Sequence, residues 1–571
     1  MPTLNWIGKE AVINHHLDVP FHLLKDVPDL GCNAPGSGNL IVEGDNLLAL
    51  KALLPYYKGK VKCICIDPPY NTGNEGWAYN DNVNSPAIKK WLGETVGKEG
   101  ETLDRHDRWL CMMYPRLTLL REFLSEDGSI WVFLDDNEIH ALRYVMDEIF
   151  GGQNFIATVI WQKKYAVSND HKTIAPMHDY VAVYQRVDKF RRNLLPRTED
   201  NDKQYKFSDD KGVFRVSDYT CNKTAEERPN LFYAIKNPNT GVEVWPKRTR
   251  VWGYSRDVFE KHQSDGLIWW GKEGKAGVPA FKRYRDSLRG GGGTVPPTFW
   301  SHEFADHTDG AKKELRDVFG TQASLDFFTP KPTRLIERIL QIATNPGDLV
   351  LDSFAGSGTT GHAALKMNAA QEGSAGTPAR NEINGGEAAT KEEADKSDRA
   401  PLKDRRFILV EMDEKIAPEI TRERVKRVAE GYTNAKGEKV PGLGGGFRYV
   451  RLGDQLFDEH GRINEPHVRF ADLARHVYFS ETGEPLPKER ISAKTPLLGV
   501  HHGRAVYLLY NGILKDRSID GGNALTNETL THLPTHDGPK VVYAARCPFS
   551  KARLEREGIT FKQTPYAIRT R

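Results

Sequence analysis

From Asn39 onward, short apolar runs alternate with longer amphipathic ones, and few folds accept that alternation. NLIVEGD reads as a strand closed by a tight turn, and NLLALKALLPYY as the helix after it. KCICID is a second buried strand, RWLCMMYPRLTLLREFL a helix, and SIWVFLDD a third strand ending in two acids. EIHALRYVMDEIFG is a helix with a glycine stop. FIATVIW and DYVAVY add two strands. The pattern breaks near 189 and resumes near 326. There PKPTRLIERILQIAT is a helix, DLVLDSFAGSGTTGHAALKM is strand, glycine turn and helix, and RFILVEMD is a strand before a charged helix. Continuous apolar strands spaced by helices predict an α/β fold, a mostly parallel sheet covered on both faces.

A chain of 571 residues is too long for one core, so about three domains are expected. Residues 1–38 form an N-terminal arm, and 39–188 the first α/β half. Residues 189–325 are rich in Arg, Lys, Trp, Tyr, Pro and Gly, as in WPKRTRVWGY and AFKRYRDSLR. Basic and aromatic side chains interleaved in this way favour nucleic-acid contact over ordinary solvated charge. Net charge is only +3, so such a site must come from local clustering. Residues 326–453 form the second α/β half, interrupted at 369–404 by an Ala/Gly/Glu/Lys-rich insertion predicted to be disordered. Residues 454–571 read as a small α+β domain with strands HVYFSE, AVYLLY and KVVYAA. The six cysteines are scattered and read as reduced core thiols, with no metal site. No apolar run is long enough to cross a bilayer, and a cytoplasmic location is expected.

Two loops carry the chemistry. In VLDSFAGSGTTG, 350–361, a strand runs through a glycine turn into a helix, whose amino terminus favours negative charge. Gly356, Gly358 and Gly361 also satisfy the dinucleotide pattern G-x-G-x-x-G. Asp352 at the strand end would repel a pyrophosphate, and Phe354 precedes the first glycine. Asp352, Phe354, Ala355, Gly356, Ser357 and Gly358 together resemble the motif with which methyltransferases hold S-adenosylmethionine, the acid facing the cofactor's cationic end. Glu411, ending RFILVE, stands where an acid grips ribose hydroxyls or is simply a solvated strand end.

The second loop is DPPY, Asp67 to Tyr70, after the strand VKCICI. It resembles the catalytic motif of amino-group DNA methyltransferases. An adenine amino group is a poor nucleophile because its lone pair is delocalised into the ring. A carboxylate (Asp67) and a backbone carbonyl (Pro68) accepting its two hydrogens pull the nitrogen towards tetrahedral geometry. Pro68 and Pro69 fix φ and carry no competing N–H. Tyr70 offers a flat face to a base turned out of the duplex.

The catalytic strand comes early and the glycine loop late, the reverse of the usual methyltransferase order. A circularly permuted Rossmann-like sheet resolves this, with both loops at the carboxyl ends of adjacent strands. NLIVEGD then directly precedes the catalytic strand, and Asp45 is placed to meet the cofactor's adenine.

The order of catalytic motif, specificity region and cofactor motif is similar to β-class adenine-N6 DNA methyltransferases, above all to the modification subunits of Type III restriction systems. The likeness lies in DPPYNTG with YNDN after it, FLDDNE with DEIFG, PKPTRLI, LDSFAGSGTTGHA and, weakly, GITFKQTPYAI in the tail. It implies a target-recognition domain in 189–325, Lys331 beside the methionine end of the cofactor, a homodimer on double-stranded DNA, and a restriction subunit as possible partner. Lys163 and Lys164 either touch phosphates beside the flipped base or are solvated loop charges.

The expected activity is therefore site-specific, S-adenosylmethionine-dependent methylation of adenine N6, with no metal. The alternatives are cytosine-N4 methylation, a chain serving chiefly as the DNA-reading subunit of a nuclease complex, another amino acceptor such as RNA or a protein amide, and a dehydrogenase. The last would leave Asp67 to Tyr70 without a role.

Overall fold

A computed structural model describes residues 3–33, 37–72, 105–167, 171–287, 293–320, 329–375, 404–457, 463, 468–482, 484, 486–487, 490–492, 494–510 and 522–564. YNDN, most of the insertion and the end of the tail lie outside the described residues. The chain divides into two compact units, Asn193–Pro296 and all the rest.

The larger unit is built on a mixed ten-stranded sheet. Its strands in chain order are β1 (His22–Asp26), β2 (Leu40–Glu43), β3 (Val61–Ile66), β4 (Leu124–Leu134), β5 (Phe155–Gln162), β6 (His178–Gln185), β7 (Phe299–Trp300), β8 (Leu349–Asp352), β9 (Arg406–Glu411) and β10 (Arg448–Gln455). In space they run β1-β10-β2-β9-β8-β3-β4-β6-β5-β7. Strands β2, β9, β8, β3 and β4 are mutually parallel, and β6 is antiparallel to β4. Early β3 therefore adjoins late β8, with Val350 opposite Cys63 and Leu351 opposite Ile64. The inner strands are apolar on both faces because helices cover both: Cys63, Ile64, Val350, Leu351, Ile408 and Leu409 are fully buried.

Six helices matter for the site: α1 (Asn46–Tyr57), α2 (Arg105–Phe123), α3 (Thr308–Phe319), α4 (Thr333–Ala343), α5 (Thr359–Ala375) and α6 (Arg422–Glu430). Loops after β3 and β8 lie at the carboxyl ends of adjacent parallel strands, the crevice where open α/β sheets bind ligands.

Three expectations need correction. Residues 297–320 do not follow the basic-aromatic segment: β7 pairs with β5, and α3 buries Ala311, Leu315 and Val318 within the larger unit. The insertion does not begin at Ala369, because α5 continues to Ala375. HVYFSE is not a strand but the end of a helix, Phe470–Thr482, which buries Leu473, Ala474, Val477 and Tyr478. Those positions recur every three to four residues, and the strand-like composition of the last six masked that period. The C-terminal strands Leu497–His501, Arg504–Leu508, Lys540–Ala544 and Ile559–Gln563 form their own four-stranded sheet.

The smaller unit carries a four-stranded antiparallel sheet (Phe207–Asp209, Gly212–Asp218, Ile268–Trp269, Ala280–Tyr284) and an aromatic core with Tyr219, Trp252, Phe259 and Trp270. On its surface Trp245 is 54% exposed and lies 5.2 Å from Phe232, which Arg248 covers.

Candidate active site

The loop after β3 has few backbone donors, so side chains from elsewhere hold it. Trp109 of α2 donates its indole N–H to the Pro69 carbonyl at 2.7 Å. Asn71 sits in the left-handed region, φ 59°, and its amide donates to the Arg105 carbonyl and to Glu138. Glu138 is fully buried, also meets His106 Nδ1 at 2.7 Å, and is pushed up by burial against the pull of Asn71 and His106. The FLDDNE motif thus supplies the anchor of the DPPYN loop.

Lys331 does not stand free beside a cofactor. Its ammonium donates to Asp67 Oδ2 at 2.5 Å and lies 5.0 Å from the Tyr70 ring centre. Asp67 Oδ1 is buried and has no hydrogen-bond partner among the described residues. A buried carboxylate oxygen without a donor is costly, and one held open by an ion pair on its twin is a ready acceptor for a ligand N–H.

The loop after β8 is arranged differently. Asp352 is buried; its Oδ1 accepts from the Phe354 N–H at 3.0 Å and its Oδ2 from the Thr360 hydroxyl at 2.6 Å. Burial pushes it up to about 7, and it forms no ion pair with any described residue. The Ala355 N–H reaches the Val410 carbonyl. Gly356 and Gly358 take φ of 49° and 75°, and a Cβ on Gly358 would come 2.8 Å from the Thr421 carbonyl.

Glu411 is no solvated strand end. It is fully buried, accepts from the N–H groups of Gly356 (2.8 Å) and Asp413 (2.9 Å), and is pushed up to about 8 by burial. Asp45 is the N-cap of α1, accepting from Leu47 and Leu48, and pairs with Arg116 at 3.2 Å. Its neighbour Asn46 bridges Arg116 to the Ser353 carbonyl, tying the β2 loop to the glycine loop.

Sequence reasoning missed Arg424 of α6. It is fully buried beneath the glycine loop and donates to Ser357 Oγ (3.0 Å), Thr359 Oγ1 (2.8 Å), Thr333 Oγ1 (3.0 Å) and Glu314 (3.3 Å). His362 beside it is pushed down to about 3 by burial and by this guanidinium. The only trace in sequence was an arginine inside a charged helix, where surface exposure is the ordinary expectation.

Two spaces meet at Lys331. A narrow one, about 30 Å³, lies between the loops and is lined by Asp67, Phe133, Lys331, Asp352, Phe354 and Ser357 among others. A larger one, about 470 Å³, opens on the far side of Tyr70 and Lys331 and is lined also by Asp135, Trp161, Lys163 and Asp179. The two lysines left open by sequence part company here. Lys163 pairs with buried Asp179 at 2.5 Å, while Lys164 is exposed at the rim.

Residues 61–422 match the family described as DNA methylase, for N6 and N4 methylation. The chain is similar to the Mod subunit of the type III restriction-modification enzyme StyLTI of Salmonella typhimurium, 34% identical over 359 residues that make up 60% of this chain and 52% of that one. It is 29% identical to the EcoP15I Mod subunit of Escherichia coli over 421 residues, 64% of this chain and 62% of that one. It is 30% identical to the type II methyltransferase M.KpnI of Klebsiella pneumoniae over 385 residues, 65% of this chain and 86% of that one. The chain thus spans little more than half to three-fifths of the two Mod subunits.

Proposed function

Since the chain belongs to the DNA methylase family, we propose that it methylates the N6 amino group of adenine at specific sites in double-stranded DNA, using S-adenosylmethionine. The observation that carries this reading is the buried Asp67 Oδ1, without a hydrogen-bond partner among the described residues, in the narrower of two spaces that share Lys331.

The residues around the glycine loop fit the cofactor. Asp352 is a buried carboxylate that makes no ion pair with any described residue, suited to the cationic methionine end, and Phe354 packs alongside. When bound, S-adenosylmethionine supplies an electrophilic methyl group on a sulfonium. Ser357, Gly358 and Glu411 shape the loop that receives it, with Asp45 and Asn46 closing the side towards β2.

The protein's part is to prepare the nucleophile. Asp67 Oδ1 accepts one amino hydrogen and the Pro68 carbonyl the other. The Pro69 carbonyl already accepts from Trp109, which favours the Pro68 carbonyl as the second acceptor. Lys331 holds Oδ2 and so fixes the carboxylate plane. Both acceptors localise the amino lone pair, and Asp67 takes up the proton that the methylated nitrogen must lose. Reaching that position requires the base to leave the duplex, and Tyr70 stacks on it. The strand adjacency of β3 and β8 supports a circularly permuted sheet, and the exposed Trp245 and Arg248, with half-buried Phe232 between them, support target recognition by the smaller unit. We place the chain in a restriction-modification system, as a cytoplasmic homodimer with a restriction subunit as possible partner.

Long-read sequencing of DNA from a methylation-free host tests this. Wild type is expected to leave modified adenine at one short motif and Asp67→Ala to leave none. Modified cytosine instead would transfer the reading to N4 chemistry; modification that survives Asp67→Ala would remove Asp67 from the mechanism.

A further inference from the structure

The larger cavity holds an ion pair that the mechanism does not use. Asp179, on β6, is 3% exposed; its Oδ1 accepts from Lys163 at 2.5 Å and its Oδ2 from the Tyr70 hydroxyl at 3.4 Å. Burial pushes Asp179 up, and Lys163 opposes that push. Lys163 leaves the end of β5 with its side chain only 22% exposed. An ammonium has three N–H donors, and among the described residues Asp179 accepts one of them.

On the reading above, Asp67 and Pro68 consume both amino hydrogens of the target base. What the base then presents to the cavity wall is acceptors only, the ring nitrogens N1, N3 and N7. Asp135 and Asp179 are themselves acceptors and cannot satisfy them. The Tyr70 hydroxyl is committed to Asp179 and the Lys331 ammonium to Asp67. Two ammonium groups remain along the cavity wall, Lys163 and Lys312; Lys163 is the one aimed by a buried carboxylate, while exposed Lys164 is the better placed for a phosphate.

We propose that Lys163, aimed by Asp179, donates a hydrogen bond to a ring nitrogen of the extruded base and so helps to select it. This rests on the reading of the site as an adenine methyltransferase. Asp179 acts as a positioning residue: it restricts the ammonium, and through Tyr70 it links base recognition to the face on which the base stacks.

The test uses the full-length protein and duplexes that carry its recognised motif with adenine, 1-deaza-, 3-deaza- or 7-deaza-adenine at the target position. Wild type is expected to lose about tenfold to hundredfold in kcat/KM on one analogue, the size of a hydrogen bond from a charged donor. Lys163→Met should be slowed by a similar factor on adenine and lose nothing further on that analogue. Asp179→Asn should shrink the discrimination without changing cofactor affinity; discrimination left whole would remove Asp179 from the proposal. If Lys163→Met slows all four duplexes equally and flattens the salt dependence of binding, Lys163 is a phosphate contact and the proposal fails. If wild type ranks the four duplexes equally, it fails without help from any variant. No methylation of the adenine duplex by wild type would instead sink the underlying reading, and this one with it.

Discussion

The two loops that meet at the head of the sheet are held in opposite ways. The glycine loop is fixed by its own backbone, with two residues at positive φ and N–H groups delivered to Val410 and Glu411, and by one buried guanidinium beneath it. The DPPY loop has prolines where donors would be, and borrows its shape from Trp109, Glu138 and Lys331 in three distant segments. A loop resting on one hub is expected to fail all at once. A loop held by three side chains is expected to fail by degrees, each contact removing part of the rate.

Arg424 is the sharpest way to break that contrast. Arg424→Met removes a buried charge that joins Glu314, Thr333, Ser357 and Thr359. Breaking a buried pair from one side costs about 3–5 kcal/mol. Thermal melting should drop accordingly and cofactor binding should be lost. A variant that melts like wild type and binds cofactor normally would show that the loop needs no hub. Glu138→Ala comes next. It frees Asn71 and should lower kcat by about tenfold to hundredfold, from about 1–3 kcal/mol of unpaired polar groups. Cofactor affinity, measured by calorimetry, should stay within about twofold. A matching loss of cofactor affinity would mean that the two loops are not independently held.

That asymmetry also explains what sequence could reveal. The two loops and the acids at strand ends are local patterns: VKCICI before DPPY, LVLD before a glycine turn. Each was readable because adjacent residues carry it. Arg424, Glu138 and the pairing of Lys331 with Asp67 join residues more than 60 apart in the chain. Nothing in the composition around them separates a buried anchor from a solvated charge. Asp45 was singled out by its strand end before the DPPY strand, but that its carboxylate also caps α1 and pairs with Arg116 was not legible there. The helix Phe470–Thr482 was misread because its apolar residues are β-formers, and the period outweighs the propensity once a core exists to pack against.

A smaller effect is expected at Trp109. Trp109→Phe keeps the buried ring and deletes one N–H to the Pro69 carbonyl, worth about 1 kcal/mol. Turnover should fall about fivefold with cofactor affinity unchanged in the same calorimetric titration. An unchanged kcat would mean that the prolines alone hold the loop.

The last distinction is one of charge. Burial pushes Asp352 up to about 7 and Glu411 up to about 8. Both therefore bind protons more tightly folded than unfolded, where carboxylates titrate near about 4. Their contribution to the stability of the unliganded protein is full below that value and declines as pH rises through 7 to 8. Cofactor binding should show the opposite sign, and at Asp352 alone. A cationic ligand pairs with the ionised carboxylate, so its affinity should rise with pH towards 7 and level off above, with a proton released on binding at pH about 6. Calorimetry in two buffers of different ionisation heat measures that proton directly. Asp352→Asn should abolish both the release and the slope, while Glu411, whose two oxygens are held by backbone N–H groups, should leave them in place when replaced by Gln. A flat affinity between pH 6 and 8 in wild type would put the cofactor's cation somewhere other than Asp352.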